Sequence, residues 1–108
     1  MNQPMLDIFF TDRIESAFND FHAEHPEVYS QLVRLAREWR SHGQRKLGIA
    51  TLFEKLRWEW HTNNLQDATG YKLNNNYRAL YARKIMAENP DLDGLFETRE
   101  RTTTVRGL

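Results

Sequence analysis

Apolar side chains recur at helical spacing in four stretches of the chain, and each stretch carries its own start or stop signal. In the first, Ile14, Ala17, Phe18 and Phe21 fall on one face. Asp12 followed by Glu15 has the form of a capping box, so a helix is expected from about Asp12 to Glu24. Met5, Leu6, Ile8, Phe9 and Phe10 precede it and are expected to pack on the core, as an extra turn or as an extended arm over residues 1–10. Pro26 suits the first turn of a second helix, where its missing N–H does no harm. Val28, Leu32, Leu35 and Trp39 form the stripe of that helix, and His42-Gly43 is its expected stop. A basic linker, Gln44-Arg45-Lys46, leads through Gly48 to a third helix over about Ile49–His61. Its apolar arc holds Ile49, Leu52, Phe53, Leu56 and Trp60, with Trp58 almost opposite.

Asn63 to Gly70 is a polar stretch, and Tyr71-Lys72-Leu73 is a short extended entry to the next element. The fourth helix starts in Asn74-Asn75-Asn76, with Asn74 the chosen N-cap, and stops before Pro90. Leu73, Tyr77, Leu80, Tyr81 and Ile85 are its expected buried side. Asp93-Gly94 is a turn signal. Leu95–Arg99 and Thr102–Val105 favour a small β-ribbon, with residues from about 100 on a frayed tail. The expected fold class is thus mainly α: a single four-helix domain with a small C-terminal β-ribbon. The expected core is Phe18, Phe21, Leu32, Leu35, Trp39, Leu52, Phe53, Leu56, Trp60, Tyr77, Leu80 and Tyr81.

Composition narrows the class without choosing a function. With 108 residues, two separate cores would be hard to fill. The absence of cysteine removes disulfides and thiolate chemistry together. No apolar stretch is long enough to suggest a membrane partner, and the first ten residues lack a basic leader and contain Asp7, which points to a cytoplasmic location. Formal net charge is zero, so no global field advertises nucleic acid. The charge is unevenly spread, however. Residues 1–33 carry one Arg against six acids, whereas residues 34–57 carry seven basic side chains against Glu38 and Glu54. The favoured reading is that the acidic and basic stretches pair on folding; the other is a free basic surface.

The candidate chemistry sits on the far side of the fourth helix. Asn75, Ala79, Ala82 and Met86 are spaced i, i+4, i+7, i+11, and Arg78 and Arg83 flank them. Small residues permit close approach, arginines grip phosphate, and asparagine can read an adenine edge, as a helix entering a major groove requires. Arg45 and Lys46 would reach the adjacent backbone. Against this stands a stripe covered by a second layer or used for a protein partner. Trp58, with Met86, would anchor such a partner, although the floor of a second packing layer is the favoured role for Trp58. His22 and His25 stand three apart on a helix, but no third and fourth ligand at metal-site spacing accompanies them. No phosphate loop, nucleophile elbow or cofactor motif is present, so a non-enzymatic role without cofactor or metal is expected.

Tyr71-Lys72-Leu73-Asn74-Asn75-Asn76-Tyr77, then Tyr81-Ala82-Arg83, then Pro90, Leu92, Gly94, Phe96 and Arg99, form a pattern that resembles a family of small bacteriophage and prophage proteins. Gly48-Ile49 through Leu56-Arg57-Trp58-Glu59 fits it too, so the resemblance covers roughly the C-terminal 60 residues. It implies a phage or mobile-element setting and no particular activity. The helix order is also similar to a winged helix, with the third helix as support, the fourth as recognition helix and Leu95–Val105 as the wing. The link from Thr62 to Leu73 is longer than the usual turn between such helices. Two functions follow as expectations: a nucleic-acid-binding regulator of duplex DNA, or a module that occupies or inhibits a host protein, such as an anti-defence factor.

Overall fold

A computed structural model describes the backbone over residues 3–63 and 73–97, and the side chains over residues 12–63 and 73–97. The described chain is mainly helical. Helix α1 spans Gln3–Glu24, α2 Pro26–Ser41, α3 Ile49–Thr62 and α4 Arg78–Glu88; short 3-10 turns at Asn75–Tyr77 and Pro90–Leu92 bracket α4.

Helix α1 starts well before Asp12, so the expected capping box does not operate and residues from Gln3 on are helix rather than an extended arm. The reason is visible in the chain: between Pro4 and Glu24 there is neither glycine nor proline to interrupt the hydrogen-bond ladder, and Pro4 lies in the first turn, where it is tolerated. The packing expected of Met5–Phe10 lies outside the described side chains. Pro26 then forces the break. His25 leaves helical geometry at φ −132°, as the residue before a proline tends to do, and α2 begins directly after it. Helix α2 stops as expected, with Gly43 in the left-handed region at φ +86°. The Gly43 N–H donates to the Arg40 carbonyl at 3.0 Å.

Asn74 is the cap that starts the fourth helix. Its side-chain oxygen accepts the Asn76 N–H at 2.8 Å, and the 3-10 turn of Asn75–Tyr77 runs straight into α4. Asn74→Ala is therefore expected to lower the unfolding free energy by about 0.5–2 kcal/mol with an unchanged helical circular-dichroism spectrum. No change in the denaturation midpoint would remove the cap from this account.

The C-terminal ribbon is corrected over the described residues, which contain no strand. Leu92, Leu95 and Phe96, at 0–3% exposure, are instead driven into the core by the Pro90–Leu92 turn and by Gly94 at φ +79°. Residues 98–108, on which the rest of the ribbon, the wing and the frayed tail were placed, lie outside the described residues, as does the polar stretch after Asn63 through Lys72.

Tyr81 occupies the centre of the core at 0% exposure. Phe18 meets its ring edge-on at 4.8 Å and Phe53 at 6.0 Å, the geometry that aromatic quadrupoles favour. Val28, Leu32, Leu35, Leu52, Leu56, Trp60, Tyr77 and Ile85 fill the rest. Three expected core residues differ. Phe21 and Leu80 are half-buried, and Trp39 is 37% exposed. The indole N–H of Trp39 donates to the Lys46 carbonyl at 2.8 Å, which holds the ring over the linker rather than inside.

Most of the basic middle of the chain is paired, and among the described residues its partners do not come from the acidic N-terminal stretch. Arg34 meets Glu59, Arg57 meets Glu54, and Arg37 meets Asp91 and Asn89. Arg40 donates to the carbonyls of Asp91 and Asp93, and Lys46 to that of Gly94. The cations at the end of α2 thus clamp the Pro90–Gly94 turn onto the bundle, and the Leu47 N–H donating to the Leu95 carbonyl secures the same corner.

His22 sits between Phe18, Tyr29 and Tyr81, and its Nδ1 is buried without a partner among the described residues. Burial first, then the Lys84 ammonium, pushes its pKa below the usual value, while Glu88 opposes them. The unfolded chain therefore binds more protons than the folded one in the window below about pH 6.5, so stability is full above it and declines as pH falls. The urea midpoint is expected to drop between pH 7.5 and 5.5, and by less in His22→Phe; equal drops in both would exclude His22 as the cause.

Candidate nucleic-acid interface

The site begins with how α3 and α4 approach each other. Arg57 on α3 donates to the Leu73 carbonyl at 2.8 Å and to the Asn75 side-chain oxygen at 2.6 Å, which fixes the start of α4 against α3. Farther along α4, Ala82 reaches 1% exposure because its small side chain lets the helix lie close to its neighbours. Beside this contact the two helices part into a cleft of about 830 Å³. One wall is the start of α3 with its linker, Lys46 to Ala50; the other is Arg78, Ala79, Ala82 and Arg83 of α4, with Glu97 also in the lining.

Cations dominate this cleft. The Arg78 Nε donates to the Asn75 carbonyl at 3.2 Å, and no carboxylate pairs with Arg78 or Arg83 among the described residues. The Lys46 ammonium donates to the Gly94 carbonyl at 3.1 Å. Glu97 is the one acid among the lining residues. Helix α3 has Gly48 as N-cap with no side-chain cap, so the N–H groups of Ile49 and Ala50, at the positive end of the helix dipole, have no side-chain acceptor among the described residues at the same cleft.

The structure brings together five of the seven residues assigned to nucleic acid: Arg78, Ala79, Ala82 and Arg83 on α4, and Lys46 from the linker. Arg45 is exposed next to Lys46 but is not among the lining residues. The stripe itself is not an open helix face. Ala82 belongs to the core, Met86 is half-buried and its sulfur accepts the Phe96 N–H at 3.4 Å, and Asn75 is occupied by Arg57. Relative to the expectation, the buried arc of α4 is turned toward Ala82 and Met86 and away from Leu80, and Phe96 meets that side through its N–H on the Met86 sulfur. The contribution of Leu47, Ile49 and Ala50 was missed on a different ground: the start of α3 and α4 are some thirty residues apart, and no local pattern joins them.

Trp58 is 66% exposed, so among the described residues it is not the floor of a second packing layer. One and two turns back along α3, Lys55 and Thr51 border an apolar crevice of about 230 Å³ that also takes in Leu35, Trp39, Leu47 and Leu52. Among the described residues no group of three His, Asp or Glu side chains is placed to hold a metal ion, and no helix is long and apolar enough to cross a membrane.

Comparison with known proteins adds no relative: no protein-family model, no curated protein and no solved structure matches the chain.

Proposed function

We propose that this chain is a non-enzymatic nucleic-acid-binding protein, of phage or prophage type, that grips the phosphate backbone at the cleft between α3 and α4. The observation that carries this reading is the pair Arg78 and Arg83 in the lining of the cleft, neither paired with a carboxylate among the described residues. Guanidinium groups present planar donor forks that match phosphate oxygens. Lys46 in the cleft and Arg45 beside it extend the positive surface past the edge of the site. Most other cations of the chain's basic middle are held by Glu54, Glu59 or Asp91, which leaves this corner as basic surface of that stretch without a carboxylate partner among the described residues.

Binding by phosphate neutralisation depends on salt, because each neutralised phosphate releases condensed counterions. Four engaged cations give a slope of roughly −3 for log K against log salt. Fluorescence anisotropy of a labelled mixed-sequence oligonucleotide between about 50 and 200 mM salt tests this: a falling line supports the reading, and absence of binding at the lowest salt refutes it.

A second reading has one observation in its favour, the exposed Trp58 with the apolar crevice nearby on α3. Tryptophan is the residue most enriched at the energetic centres of protein interfaces. Met86, assigned to the same interface, is engaged with Phe96 and drops out. If Trp58 serves a host protein, Trp58→Ala leaves the melting temperature within about 0.5 kcal/mol equivalent of the parent while association is lost. A large loss of stability would show that the ring supports the fold instead.

A further inference from the structure

Resting on the nucleic-acid reading, we infer that the cleft takes an unpaired strand, one nucleotide unit at a time, rather than the major groove of a duplex. A helix reads a major groove by projecting into a channel about 12 Å wide and about 8.5 Å deep, so its reading face must stand proud of the protein. The α4 face does the opposite. Ala82, at 1% exposure, lies in the recess between α4 and the start of α3, and Asn75, the residue suited to an adenine edge, already accepts a hydrogen bond from Arg57 at 2.6 Å. A concave site of about 830 Å³ falls within the roughly 300–1,000 Å³ typical of sites for small organic ligands.

The lining divides in the way a nucleotide does. Ile49, Ala50 and Ala79 give an apolar bed on which sugar and base can lie, over a floor closed by the buried Leu47 and Ala82, and Arg78 and Arg83 supply the donors for the phosphate. The guanidinium planes also offer faces for a base to stack on, which is how arginine contributes to sequence-tolerant binding of single strands. A paired base has its Watson–Crick edge occupied and both faces stacked, so a duplex cannot place one nucleotide in a recess without opening the pair.

The test uses the full chain and three probes: a fluorescein-labelled 15-nucleotide mixed-sequence DNA strand, the same strand annealed to its complement, and unlabelled thymidine monophosphate as competitor. The single strand is expected to bind at least about ten-fold tighter than the duplex at equal salt, because the duplex reaches only the outer cations. Ala79→Trp, a change at an exposed position, fills the recess and is expected to reduce single-strand binding about ten-fold while leaving the helical spectrum unchanged. Equal or tighter binding of the duplex overturns the inference but leaves the nucleic-acid reading standing. So does a single strand indifferent to Ala79→Trp. Displacement of the strand by the mononucleotide at matching molar concentration makes the ligand a free nucleotide and also overturns it. Failure of both DNA forms to bind at low salt removes the nucleic-acid reading itself.

Discussion

Phe53→Ala is expected to lower the unfolding free energy by about 3–5 kcal/mol. Phe53 is 0% exposed on the inner face of α3, edge-on to Tyr81 at 6.0 Å. Truncation removes the apolar surface that the ring keeps from water and leaves a void that the surrounding close-packed side chains fill only in part. Both α3 and α4 depend on that contact, so the loss is shared by the two elements that form the cleft. Against a total of about 5–15 kcal/mol for a domain of this size, the variant should melt more than about 12 °C below the parent. A thermal denaturation curve superimposable on that of the parent would mean that α3 does not pack through this face.

Replacing Arg78 and Arg83 together by Ala is expected to weaken oligonucleotide binding by about 100-fold or more at low salt. A charge-assisted hydrogen bond contributes about 1.5–3 kcal/mol, and about 1.4 kcal/mol is a factor of ten. The salt slope should also become shallower by roughly one per cation removed. Stability should change little. Arg83 is exposed, and the one described bond of the Arg78 side chain is to the Asn75 carbonyl inside the same turn. That separation makes the double variant informative: weaker binding with an unaltered melting curve locates the phosphate contacts, whereas unaltered binding and an unaltered slope remove both arginines from the interface.

The helices with strong punctuation were legible in the chain. Pro26 and Gly43 bound α2, and Asn74 and Pro90 bracket α4, because each of these residues acts on the backbone within a turn or two whatever packs outside. The start of α1 was missed where polar residues imitated a cap at Asp12 inside a run that nothing else interrupts. Burial on α4 was displaced for a tertiary reason: Leu95 and Phe96 fold back as core rather than as strand, and Phe96 covers Met86 through its N–H on the sulfur. Trp39 and Trp58 show the limit of periodicity from both sides, since one sits on the apolar stripe yet is exposed, and the other was assigned to a second layer that the described residues do not contain. The candidate site was half legible. Arg78 and Arg83 stand out on the helix and Lys46 in the basic linker, but the rest of the opposite wall, Leu47 to Ala50, joins them only when α3 packs on α4.

The location of the contact is the central claim, and backbone amide shifts measured during titration with an unlabelled 15-nucleotide DNA strand test it most directly. The account predicts the largest shifts at Ile49, Ala50, Ala79 and Arg83, around the cleft, with the Trp58 indole N–H and the α1 amides of residues 12–20 unmoved. Shifts concentrated at Trp58 or along α1, with the cleft silent, would contradict it.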